Sequence, residues 1–191
     1  MPSGLFCDKK RLLHPRSHIS LGCGIQIDHK GGDMMKAWKT YLASILLSVG
    51  TGALSALLTM GNMDIYQRIN TPPLSPPPIL FPIVWTVLYV LMGISAAMIL
   101  RSKTDFPEKK QKALLTYLAS LFFNFYWSLI FFNLEAFGVA FLWLCVLLLL
   151  VVKTVFDYFE INRTAAYLQI PYLLWVSFAG YLNFGIWLLN R

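Results

Sequence analysis

Five apolar runs, each near the length that crosses a bilayer, constrain this chain more than any other feature. They fall at 38–60, 79–100, 113–132, 137–159 and 165–189. A hydrocarbon core about 30 Å thick takes roughly 20 apolar residues per helical span. The chain has 191 residues, is 57% hydrophobic and only 13% charged, so it has room for these spans and for no separate soluble enzyme domain. The expected fold is an all-α integral membrane protein, a five-transmembrane-helix bundle over 35–191, preceded by a polar, disordered N-terminal extension, 1–34.

That extension has no apolar core of the kind a secretory signal carries. Met34 and Met35 stand at its end as alternative starting points. Cys7, His14, His18 and Cys23 lie within it, but their spacing matches none of the regular zinc patterns, and no metal site is expected. Cys145 sits inside an unbroken apolar run, which suits packing or lipid contact.

The net charge of +7 does not point to nucleic acid, because the basic residues gather in the extension and one loop, away from any face interleaved with stacking aromatics. They mark topology instead. Lys36, Lys39, Arg101, Lys103, Lys109, Lys110, Lys112 and Arg163 fall on one side, Arg68 and Arg191 on the other. The positive-inside rule then predicts a multi-pass cell-membrane protein, bacterial in type, with its N-terminus cytoplasmic and its C-terminus outside.

The longest connection, 61–78, faces outward on this reading. It leads into "NTPPLSPPPILFPIVWTVLY", which holds six of the ten prolines. Pro72 to Pro78 cannot continue a helix and favour extended turns, so they predict a semi-rigid lid. Pro82 falls in the first turn of the second span, where its missing donor costs little. The third and fourth spans are joined by "NLEA" alone and are expected to be antiparallel neighbours. On the first span Ser44, Ser48, Gly52 and Ala56 form a small-residue stripe that suits packing within the bundle, with homodimerisation as the alternative.

Polar side chains at hydrocarbon depth are few, and an unsatisfied amide there costs several kcal/mol. Asn124 and Ser128 share a face of the third span beside Trp127. Trp175, Ala179 and Asn183 recur at four-residue spacing in the fifth, as do Trp85 and Tyr89 in the second. Flat aromatic surfaces with isolated amides and no charge suit a planar apolar guest; an inorganic ion would want carboxylates, carbonyls or a fixed charge. The alternative is plain packing, since Trp and Tyr populate membrane interfaces and Asn often bonds between helices. No histidine lies in a span, no Ser/His/Asp or Cys/His set is present, and Asp157 and Glu160 read as a solvated helix end.

The segments "PPLSPPPILFPIVWTVLY", "NFYWSLIFF" and "IPYLLWVSFAGYLN" together resemble, in that order and spacing, the tryptophan-rich sensory protein or translocator protein family (TspO/MBR), which includes the mitochondrial peripheral benzodiazepine receptor. The resemblance implies a five-helix bundle whose pocket, beneath the first loop, binds porphyrins such as protoporphyrin IX and synthetic ligands of the benzodiazepine-receptor class. Matched to the family's pocket, the ligand-binding residues are Trp85 and Tyr89, Asn124 and Trp127, and Trp175, Ala179 and Asn183. No resident cofactor is required; a haem-like tetrapyrrole or other hydrophobic small molecule is the expected ligand. The lid lacks the tryptophan that some relatives carry among its prolines, and no basic residue completes the sterol-associated pattern after Tyr181.

Three functions follow from the resemblance and the residues. The first is transport, sequestration or sensing of a bound tetrapyrrole. The second is light-driven oxidative breakdown of that porphyrin, with Trp127 or Trp175 as the oxidisable group. The third is a structural membrane subunit whose aromatic stripes only pack.

Overall fold

The computed structural model describes residues 30–62 and 64–191, with side chains from Ala37 onward. The cysteines and histidines of the extension lie outside the described residues. Among those described, the helices are α1 Lys30–Thr59, a single turn α2 Ile65–Arg68, α3 Leu80–Arg101, α4 Pro107–Ser128, α5 Phe137–Ile161 and α6 Arg163–Leu189. A tight turn, Met60–Asn62, follows α1, and a wide π turn, Leu129–Asn133, extends α4. Five helices are long and apolar enough to cross a membrane, as expected.

Helix starts differ from the hydropathy boundaries at α1 and α4, which begin earlier than the apolar runs they contain. Apolar runs report burial in hydrocarbon, whereas a helix starts where its first amides are satisfied or absent. Pro107 occupies the first turn of α4, where its missing donor is harmless. Asn162 caps α6 by accepting from the Ala165 amide at 3.1 Å. At the same end of the bundle Lys110 Nζ donates to the Leu100 carbonyl of α3 and to that of Ser102, just past the helix end.

The helices close a ring in the order α1, α3, α6, α5, α4 and back to α1. The short connection 134–136 makes α4 and α5 adjacent and antiparallel, as its length predicts. Close approach of α1 and α3 depends on Gly93, where a Cβ would stand 2.5 Å from the Ile45 Cα. Ser44 and Ser48 face inward, and the Ser48 hydroxyl bonds Tyr117 on α4. The stripe on α1 therefore packs within the bundle at these positions.

Buried polar groups are mostly paired, as a low-dielectric interior demands. Ser95 Oγ donates to the Ala165 carbonyl at 2.7 Å and accepts from Gln169 Nε2 at 3.2 Å. Asp157 and Glu160 lie at the solvated end of α5, paired with Lys153 at 2.6 Å and Lys109 at 2.8 Å.

The proline-rich connection lies across the other end of the ring. Arg68 Nη2 reaches Glu135 Oε1 at 3.1 Å on the α4–α5 link. The Asn70 amide donates to Asn190 Oδ1 at 2.9 Å, Asn190 Nδ2 returns a bond to the Asn70 carbonyl at 2.8 Å, and Tyr181 OH donates to the Pro73 carbonyl at 2.8 Å. Pro72 packs where Gly185 leaves room; a Cβ on that glycine would stand 2.7 Å from the proline ring. Leu74 turns the chain at φ 67°, a conformation uncommon outside glycine.

Candidate functional site

Beneath this connection a cavity of about 190 Å³ lies among α1, α2, α3 and the end of α4. Helix α3 supplies Trp85 and Tyr89 one turn apart, with Phe81 and Pro82 above them; α4 supplies Trp127 and Ser128; the π turn adds Phe132, and α2 adds Tyr66. Each position follows from local geometry. Residues four apart stand above one another on one helix face, and Pro82 sits in the opening turn of α3, where it leaves the helix intact. Closing the end of α4 in a wide turn brings Phe131 and Phe132 round to this end of the bundle.

The rings are in mutual contact. Trp85 lies 5.6 Å from Tyr89 and 6.3 Å from Trp127 between ring centres. Tyr66 stacks on Phe81 at 5.4 Å and roofs the cavity. Two buried amides stand behind this wall: Asn124 Nδ2 donates to Tyr89 OH at 2.9 Å, and Trp127 Nε1 donates to Asn183 Oδ1 at 3.1 Å. Asn183 in turn donates to the Phe137 carbonyl at 2.8 Å, tying α4, α6 and α5 together at one point.

The seven residues expected at the site thus fall into three groups. Trp85, Tyr89 and Trp127 line the cavity. Asn124 and Asn183 are 1% exposed and hold the lining rings from behind, while Ala179 is buried in the core. Trp175 touches Phe81 at 6.0 Å but borders a second, wider space of about 530 Å³, an outward groove between α3 and α6. Its indole N–H is buried with no hydrogen-bond partner among the described residues.

The lining contributed by α1, namely Val49, Gly52, Ala53, Ser55, Ala56 and Thr59, is absent from the sequence expectation. Small residues on a membrane helix signal close packing and do not distinguish a helix neighbour from a void. Tyr66, Phe81 and Phe132 were also missed, because an aromatic near a span end reads as an interface anchor. Gly52 is the exception that carried a signal: a Cβ there would overlap the Tyr89 ring, so the stripe position is needed to seat that ring.

Chemically the cavity offers flat aromatic faces, the aliphatic hydroxyls of Ser55, Thr59, Thr86 and Ser128 beside the phenols of Tyr66 and Tyr89, and no charged side chain. Among the described residues no three His, Cys, Asp or Glu side chains come together as a metal site. Such a surface can hold an apolar planar molecule by stacking and dispersion.

The matches to known proteins fit this architecture. The family model described as TspO/MBR family matches residues 44–188. The chain is 33% identical over 151 residues to a tryptophan-rich sensory protein of Cereibacter sphaeroides, covering 79% of this chain and 89% of that one. It is 30% identical over 159 residues to the translocator protein of Bos taurus, covering 83% and 94%, and 33% identical over 150 residues to the tryptophan-rich protein TspO of Archaeoglobus fulgidus, covering 78% and 95%. With five spans, an aromatic cavity under the first connection and a match across most of its length, this multi-pass membrane protein belongs to the TspO/MBR family.

Proposed function

We propose that the chain binds a porphyrin, protoporphyrin IX or a related tetrapyrrole, between its helices and acts in tetrapyrrole transport, sequestration or sensing. The observation that carries this reading is the uncharged aromatic cavity built from Trp85, Tyr89, Trp127, Tyr66 and Phe81. Its volume of about 190 Å³ is below the roughly 300–1,000 Å³ of most ligand sites, so binding has to widen it. The wall that moves on this reading is α1, whose outer face is exposed at Leu46, Leu47, Leu54, Leu57 and Leu58. Its outward shift, with rotation of the Tyr66–Phe81 stack, admits a planar ring while the hydrogen-bonded α4–α6 side stays fixed.

The cationic ends support the orientation given by the sequence. Arg101, Lys103, Lys112 and Arg163 sit exposed at the end bearing the α3–α4 connection, whereas Arg68 at the other end is paired with Glu135. On this reading the end carrying the proline-rich connection is the outer one, in a cell membrane, with the N-terminus cytoplasmic.

The test is a titration of purified protein in lipid nanodiscs with protoporphyrin IX, followed by tryptophan quenching. Saturable binding is expected, weakened about two- to tenfold by Trp85→Ala, since ring stacking contributes about 0.5–1.5 kcal/mol beyond burial. Trp175→Ala, on the outer groove, is expected to weaken it less. Absence of saturable quenching, or equal affinity for Trp85→Ala, would refute the proposal.

A further inference from the structure

We propose that the ligand enters the cavity sideways from the bilayer, through a portal between α1 and α3 rimmed by Ala53, Ala56, Pro82 and Thr86. This inference rests on the reading of the cavity as a ligand site and names the class of molecule it takes: one already dissolved in the membrane. All four rim residues line the cavity and are exposed, and their chain neighbours Leu54, Leu57, Ile83 and Val87 are exposed too. Exposed lining set among exposed apolar neighbours marks an opening on this reading.

The depth of that opening decides what can use it. Ala53 lies six residues before the end of α1 and Thr86 six after the start of α3, about 9 Å along each helix at 1.5 Å per residue. The rim is flanked by exposed Leu54, Leu57, Ile83 and Val87, and no charged residue occurs from 41 to 63 or from 80 to 100. A hole in this position faces acyl chains. The aqueous route is obstructed by contrast: Tyr66 and Phe81 stack over the cavity, and the connection above them is fastened at Arg68, Asn70 and Pro73.

The rim side chains are small where they meet. Pro82 and Thr86 cannot swing across the gap, because Thr86 Oγ1 is bonded to the Pro82 carbonyl at 2.7 Å, and two alanines face them. Size at positions 53 and 56 therefore sets the entry rate and selects flat, membrane-partitioning molecules over bulky or water-borne ones.

Stopped-flow mixing of protoporphyrin IX with protein in nanodiscs, followed by porphyrin absorbance, tests this. Ala53→Phe and Ala56→Phe, alone and together, narrow the portal. Association and dissociation are expected to slow together, by about tenfold or more in the double variant. Arg68→Ala, which loosens the fastened connection, is expected to leave both rates within twofold. Unchanged rates in the double variant, an affinity loss carried by faster dissociation, or faster association in Arg68→Ala would each overturn the portal while leaving porphyrin binding in place. No saturable binding by the unsubstituted protein would overturn both readings.

Discussion

Gly50 and Gly52 stand on the same helix two residues apart, and the same substitution is expected to move stability in opposite directions. A Cβ at Gly50 meets nothing within 4 Å, so Gly50→Ala gains only the helix preference of alanine, about 0.5–1 kcal/mol. A Cβ at Gly52 falls on three atoms of the Tyr89 ring. That ring cannot simply retreat, because Asn124 holds its hydroxyl at 2.9 Å and Trp85 lies 5.6 Å away on the same helix. Overpacking of this kind costs about 1–3 kcal/mol, and losing the interhelical hydrogen bond adds about 0.6–1.7 kcal/mol. After the helix gain is subtracted, Gly52→Ala is expected to destabilise by about 0.6–4 kcal/mol. The helix gain is common to both variants, so they should differ by about 1.6–4.7 kcal/mol, a large fraction of a typical folding free energy. Reversible unfolding in mixed micelles, titrated with SDS and followed by circular dichroism, measures both in one system. Two stabilised variants, or a difference below about 0.5 kcal/mol, would refute the placement of Tyr89 against α1.

Three further outcomes follow from the same contacts. Asn124→Leu leaves the buried Tyr89 hydroxyl unpaired and is expected to cost about 1–2 kcal/mol by the same unfolding assay; a bundle stabilised by this change would favour aromatic stripes that only pack. Trp127→Phe keeps a ring in the wall but removes the donor to Asn183, whose bond to the Phe137 carbonyl persists, so a loss of about 0.5–1.5 kcal/mol is expected. Arg68→Ala breaks an ion pair whose partners are 55% and 45% exposed, and the expected change is below about 1 kcal/mol, shrinking further when unfolding is repeated in high salt.

The span count and the α4–α5 adjacency were legible because apolar length and a three-residue link leave little freedom. Trp85 with Tyr89 was legible for a similar reason: two aromatics one turn apart on a span can share a wall. The fifth span shows where that logic fails. Four-residue spacing overshoots a 3.6-residue turn by about 40°, so Trp175 and Asn183, two such steps apart, are rotated about 80° from one another. Asn183 therefore reaches Trp127 in the interior while Trp175 borders the outer groove. The α1 lining was hidden because alanine, serine and glycine record only that something comes close. The fastening of the proline-rich connection depends on Glu135, Tyr181 and Asn190, residues 67 to 120 positions away in sequence, and no local pattern announces them.

The amides behind the wall explain why an uncharged cavity can persist in this bundle. In hydrocarbon a free amide would draw water or a neighbouring backbone into the space beside it, because leaving it unpaired costs several kcal/mol. Asn124 and Asn183 instead spend their bonds on Tyr89, Trp127 and the Phe137 carbonyl, and so present only aromatic faces forward. The fixed side of the cavity is thereby α3, α4 and α6, joined by side-chain hydrogen bonds and ring contacts. On α1 only Ser55, Thr59 and small apolar residues face the space, and their hydroxyls are either unshared with the opposite wall or turned back on the helix, as Thr59 Oγ1 is to the Ser55 carbonyl at 3.0 Å. The aromatic wall on α3, α4 and α6 thus stands opposite small side chains on α1, a helix itself held by Ser48 to Tyr117 and by the Leu58 carbonyl to Asn133; a flat guest would find its stacking surface on the first. Charged groups on such a guest would find no partner inside, and desolvating them unpaired is costly, so they have to remain at the membrane interface while the ring alone enters.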